Sequence, residues 1–124
     1  MTGVAGRVAF ITGGASGIGL GIAQAFGAAG ARIVIADIEQ AALDRAARSL
    51  QDLGVEAHPV QLDVTDRAAF ARARDAVLDA CGAVNLLFNN AGVNVAGPVD
   101  NLSFADWDWV LGVNLGGVVN GVMT

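Results

Sequence analysis

The chain has 124 residues, 54% of them hydrophobic and 15% charged, which excludes both a disordered polypeptide and two independent domains. A formal net charge of -5, with twelve acidic residues against seven arginines and no lysine, removes the basic footprint that nucleic acid or an anionic membrane requires. Cys81 stands alone, so no internal disulfide framework exists and a reducing cytoplasm is the expected compartment.

Met1 to Gly6 carries neither a charged n-region nor a long apolar h-region. No apolar run approaches the ~18 residues of a membrane span. Val8-Ala9-Phe10-Ile11 is instead a short apolar run ending at Thr12-Gly13-Gly14, the pattern of a strand buried on both faces. Ile18, Ile22, Phe26 and Ala29 follow at helical spacing, stopped by Gly30. Ile33 to Ala36 reads as a second strand ending at Asp37. Leu43, Ala47, Leu50 and Leu53 then mark one face of a helix that closes at Gly54. Ala57 to Leu62 reads as a third strand, and Pro59 assigns it to an edge. Thr65 is the expected N-cap of a helix through Phe70, Ala73, Val77 and Cys81. Val84 to Phe88 is the fourth strand. Ser103-Phe104-Ala105-Asp106 fits a capping box before a last helix, which reaches Thr124 without a stop signal. Strand and helix alternating every ~25 residues predict βαβ units: an α/β, Rossmann-type parallel sheet with helices on both faces. The open fourth strand and unfinished helix make 1–124 one domain, expected to be incomplete at its C-terminus.

Five positions carry chemistry. In Thr12-Gly13-Gly14-Ala15-Ser16-Gly17-Ile18-Gly19, between a strand and a helix, Gly13, Gly17 and Gly19 supply the turn, the close approach and the tight packing that a pyrophosphate at a helix N-terminus needs. The plainer alternative is a ligand-free glycine turn. Asp37, 18 positions after Gly19, can accept hydrogen bonds from both adenosine ribose hydroxyls and repel a 2′-phosphate, which favours NAD over NADP. Ser16, where an Arg or Lys would invite that phosphate, points the same way. The alternative is an Asp capping the next helix. Asp63 offers a carboxylate to the adenine amino group while Val64 packs on the ring; taken alone, a turn Asp explains it as well. Asn89-Asn90-Ala91-Gly92 lets the sheet end approach a ribose, or is a plain polar turn. Asn114 is an amide in an apolar helix, a position that more often holds a satisfied core group than a catalytic one. Gly112, Gly116, Gly117 and Gly121 around it imply very close packing, against this chain or a subunit partner. His58 precedes Pro59 on the edge strand and is expected at the surface. Cys81 is expected in the core at a helix end. No metal site is expected.

In this order and register, the five positions resemble the short-chain dehydrogenase/reductase family along the whole chain. The resemblance implies that Gly13, Ser16, Ile18, Asp37, Asp63, Val64 and Asn90 contact NAD, with Gly17, Gly19, Ala91 and Gly92 completing the cofactor site. It implies that Asn114 supports a catalytic proton relay. It also implies an NAD-dependent oxidoreductase acting on an alcohol or ketone. Family members move the substrate proton with a Tyr whose pKa a Lys four residues later lowers, and a Ser polarises the carbonyl. This chain has no Tyr and no Lys, and its motifs place Ser16, Ser49 and Ser103 elsewhere. The 124-residue chain is therefore expected to be the cofactor half, inactive by itself, and a homo-oligomer through the last helix or the strand-four edge. Two alternatives remain open: a non-catalytic NAD-binding or dimerisation module, and a methyltransferase using S-adenosylmethionine. The glycine spacing and Asn89-Asn90-Ala91-Gly92 weigh against the methyltransferase.

Overall fold

A computed structural model describes residues 3–124, so the expectation about Met1 to Gly6 lies partly outside the described residues. Four strands, β1 (Val8–Thr12), β2 (Arg32–Asp37), β3 (Ala57–Gln61) and β4 (Leu86–Phe88), form one sheet in the order β3-β2-β1-β4. Every pairing is parallel; Phe10 lies beside Val34 on one side and Leu87 on the other. Three long helices alternate with the strands: α1 (Gly17–Ala28), α2 (Gln40–Asp52) and α3 (Arg67–Cys81). After β4 come a 3-10 turn (Val99–Asn101), α4 (Phe104–Leu111), a π-helical segment (Gly112–Gly116) and α5 (Gly117–Met123).

The two faces of the sheet explain the apolar runs. Ala9, Ile11, Ile33 and Ile35 point one way, onto Ala23 of α1 and Leu43 and Leu50 of α2. Val8, Phe10, Val34 and Ala36 point the other way, onto Phe70, Ala73 and Val77 of α3. Successive strand side chains face opposite sides, so a strand covered twice must be apolar throughout. β1 and β2 are buried as expected, and β3, with Pro59 in it, is an edge strand, as is β4 on the other side. His58 is half-buried there, with Nε2 3.5 Å from Glu56 Oε1.

Several local expectations are corrected. Ile18 is 78% exposed and lies on the cleft side of α1, while Gly19 and Ala23 face the sheet. Leu53 is an exposed C-cap residue. The cap of α3 is Asp66, whose carboxylate accepts from the Ala69 N–H, because Thr65 is already held by Asp63. The β4 ladder begins at Leu86, since Asn85 Oδ1 replaces a strand carbonyl as acceptor for Val8 N at 2.8 Å. The capping box is present as expected: Ser103 accepts from Asp106 N, and Asp106 accepts from Ser103 N. The bond from the Ser103 backbone N–H first, and the Ser103 side chain second, hold the Asp106 carboxyl below its ordinary pKa. The last helix is interrupted where the sequence pattern showed none. Its close packing at two glycines is within the chain: a Cβ on Gly117 would lie 2.7 Å from Val64 Cγ2, and one on Gly121 2.2 Å from Asn89 Oδ1.

Candidate functional site

A cleft of about 990 Å³ opens over the C-terminal ends of the strands, where the parallel topology gathers every βα turn. Gly13, Ala15, Ser16, Gly17 and Ile18 form one wall; Asp37, Ile38 and Glu39 continue it past β2. Leu62, Asp63, Val64 and Thr65 lie at the β3 end, and Asn90, Ala91, Gly92 and Val93 at the β4 end. Ten of the eleven candidate cofactor contacts therefore converge here. The eleventh, Gly19, sits behind the turn, where a Cβ would lie 2.1 Å from the Gly13 carbonyl oxygen; only glycine lets α1 start this close to β1. Gly17 has φ +52°, and nothing lies within 4 Å of its Cβ position, so the backbone there is open to the cleft. Ser16 is the N-cap of α1 but makes no side-chain cap bond, which leaves the helix N-terminus uncapped from that side.

Asp37 is half-buried at the rim. Its Oδ2 accepts from Ala15 N and its Oδ1 from Glu39 N, both at 3.3 Å. Glu39, not Asp37, is the N-cap residue of α2, so the capping alternative for Asp37 does not hold. A carboxylate has about four acceptor positions, and these long bonds leave room for two more donors. Asp63 is committed differently: its Oδ1 accepts from Thr65 N at 2.9 Å and Thr65 Oγ1 at 2.7 Å, which makes it the turn residue that the plainer reading described. Val64 is buried, with its carbonyl taken by Asn120 Nδ2 at 2.8 Å.

The Asn89–Gly92 turn is welded to the glycine loop. Asn90 Nδ2 donates to the carbonyls of Thr12 and Gly13, at 3.1 and 3.2 Å. Thr12 Oγ1 accepts from Asn90 N and Ala91 N, both at 3.0 Å, and donates to Phe88 O. This hydroxyl, 2% exposed, is a clamp to which the sequence reading assigned no role. Asn89 points away from the cleft, and its Oδ1 is buried without a partner among the described residues. Asn114, in the π-helical segment, is exposed and not a core amide. It holds the backbone of one residue on both sides: Nδ2 donates to Val93 O at 2.9 Å, and Oδ1 accepts from Val93 N at 2.8 Å. The buried amide of this helix is Asn120.

Ile38, Arg45, Trp109 and Val113 also line the cleft and were missed by the sequence reading. Arg45 is its one cationic lining residue; Asp37, Glu39 and Asp63 are acidic. The ion pair between Arg32 and Glu56 lies at the opposite ends of the strands, where the guanidinium holds the Glu56 carboxyl below its ordinary pKa. No group of three potential metal-binding side chains is found among the described residues. No described helix is long and apolar enough to cross a membrane.

The sequence pattern of the short chain dehydrogenase family matches residues 7–124. The chain is 52% identical over 119 residues to a C alpha-dehydrogenase of Sphingobium sp., covering 95% of this chain and 39% of that protein. The fold matches apo LigD from Sphingobium sp. with TM-score 0.96 and 50% identity, over 98% of this chain and 52% of that one. It also matches a short chain dehydrogenase/reductase from Burkholderia phymatum in complex with NAD, with TM-score 0.95 and 42% identity, over 99% of this chain and 44% of that one. The chain thus spans about two fifths to one half of the length of these relatives.

Proposed function

The chain belongs to the short-chain dehydrogenase family, and from that premise we propose that its cleft holds NAD and that residues 1–124 are the cofactor-binding domain of an oxidoreductase acting on an alcohol or ketone. The observation that carries the reading is the convergence of the open Gly17 backbone, the Asp37 carboxylate and the Asn90–Gly92 turn on one cleft. In the proposal, the backbone of Gly13 and of Ser16 to Ile18 faces the pyrophosphate, with Gly19 holding α1 close. Asp37 takes the adenosine ribose hydroxyls. Asp63 and Val64 border the base, and Asn90, Ala91 and Gly92 border the second ribose.

Bound NAD supplies a hydride acceptor at its nicotinamide ring. This chain's own residues do the rest of what can be derived. The Thr12–Asn90 bonds hold the cleft floor rigid. Asn114 fixes the backbone N–H and carbonyl of Val93, and one amide hydrogen and one lone pair of its side chain remain for a water in a proton relay. The substrate proton itself needs an acid–base group with a pKa near the working pH, the part the family assigns to Tyr and Lys. The proposal therefore has the 124-residue chain bind cofactor without turnover, in a reducing cytoplasm where Cys81 stays a thiol. It also has the chain self-associate through exposed Phe104, Leu115, Val122 and Met123 or the β4 edge.

Thermal unfolding with increasing NAD tests the binding. A ligand that binds only the folded state raises the midpoint in proportion to the logarithm of its concentration above Kd. A midpoint unmoved by millimolar NAD would contradict the proposal. Nicotinamide absorbance against secondary alcohols and ketones tests the rest: no turnover is expected, and turnover with contaminants excluded would show that the proton group lies within these residues.

A further inference from the structure

We propose that Trp109 is a base-contacting residue of the cleft, its indole forming the outer wall against the purine of the dinucleotide. The proposal rests on the reading of the cleft as an NAD site and adds a residue that none of the family's motif positions includes.

Strand order sets where each part of the dinucleotide falls. The glycine loop follows β1, Asp37 ends β2, and Asp63 to Thr65 follow β3; in the order β3-β2-β1 these three turns lie in a row along the cleft. With the pyrophosphate at the first and a ribose at the second, the base falls at the third. The helix carrying Trp109 is pinned to that third turn. Gly117 packs on Val64, Asn120 donates to the Val64 carbonyl, and Val113 joins the same apolar cluster. A Cβ on Gly112 would lie 3.7 Å from Thr65 Cγ2. Trp109 is one turn N-terminal to Val113 on the same face, so it continues that face beyond Val64 and lines the open cleft.

The Trp109 indole is 50% exposed and lines the cleft, so its apolar face is open to a flat ligand there. Ile38, also exposed, lines the cleft from the β2 end, so a base placed there meets apolar surface from two elements. Trp107, on the same helix and 45% exposed, is not among the cleft-lining residues and serves as the internal control.

These are the only two tryptophans, so Trp107→Phe and Trp109→Phe each leave one reporter. Emission, corrected for ligand absorption, is followed during titration with NAD, ADP-ribose and nicotinamide mononucleotide, and affinity is measured separately by calorimetry. Saturable quenching of Trp107→Phe by NAD and ADP-ribose but not by nicotinamide mononucleotide is expected, with Trp109→Phe silent. Base–aromatic contacts of this kind make Trp109→Ala about tenfold or more weaker for NAD, with partial rescue in Trp109→Phe. Calorimetric NAD binding with Trp109 emission unchanged and Trp109→Ala affinity intact overturns the proposal and leaves the NAD reading standing. Equal quenching by nicotinamide mononucleotide also overturns it. No calorimetric binding to the unaltered chain removes the NAD reading and this proposal together.

Discussion

Replacing Gly19 by alanine sets a helix gain against a backbone collision, and the structure says which wins. Alanine in place of glycine inside a helix is worth about 1 kcal/mol. At Gly19 the new Cβ would lie 2.1 Å from the Gly13 carbonyl oxygen and 2.7 Å from Asn90 Nδ2. Relief needs a shift of roughly 1 Å between α1 and β1 to approach ordinary contact distance. Neither partner can give cheaply: one is main chain, and the other is held by its bonds to Thr12 and Gly13. Overpacking of this kind costs roughly 1–3 kcal/mol, and a main-chain clash belongs at or above the upper end. The net loss is about 2 kcal/mol or more. At roughly 4 °C per kcal/mol for a chain of this size, Tm should fall by ~8 °C or more. Gly21→Ala is the control in the same helix. It is exposed, with nothing within 4 Å of its Cβ position, so it keeps the helix gain and should raise Tm by up to ~4 °C. Calorimetric melting of both variants decides the matter. A Gly19→Ala protein as stable as Gly21→Ala would refute the close approach on which the loop geometry rests.

Thr12→Val keeps shape and removes the hydroxyl shared by Phe88 O, Asn90 N and Ala91 N. A loss of about 2–3 kcal/mol in urea denaturation, largely restored in Thr12→Ser, is expected, and a neutral Thr12→Val would show that the clamp carries no energy. Glu56 has its pKa lowered in the fold, first by its hydrogen bond from Arg32, so its stabilisation is present above the ordinary carboxylate range and is lost as pH falls through the folded value. Between pH 7 and pH 3 the unaltered chain should therefore lose more Tm than Glu56→Gln; parallel profiles would contradict that sign. Analytical ultracentrifugation across a concentration series should show a dimer or larger, since Phe104 is 90% exposed and Leu87 lies exposed on the open β4 edge; a monomer at high micromolar concentration would refute it.

The fold was legible because its signals were redundant. β1 and β2 read as apolar runs flanked by turn residues, and burial on both faces is what makes them so. The glycine loop and Asp37 were legible because a strand, a turn and a helix fix where a loop residue must lie. Other features depend on which of two neighbours wins a bond, and composition cannot decide that. Thr65 is a good cap, but Asp63 captures it and Asp66 takes the position. Ile18 matches the helical period, yet it lies at the first turn, past the C-terminal ends of the strands, and faces the cleft. Trp109 carries no signal of its own in the sequence, because spacing identifies a helix face without identifying what the face meets. The π-helical segment around Asn114 has no sequence period of its own over five residues.

The central claim is that the Asp37 end of the cleft takes an unphosphorylated ribose. Calorimetric titration of the chain and of Asp37→Asn with NAD and NADP tests it most directly. A carboxylate and a phosphate at short range repel by up to a few kcal/mol near a protein surface, so NAD should bind at least ~10-fold tighter than NADP. Asp37→Asn should shrink that ratio by weakening NAD and strengthening NADP. Equal affinities in the unaltered chain, or tighter NADP, would show that Asp37 does not read the ribose and would contradict the account.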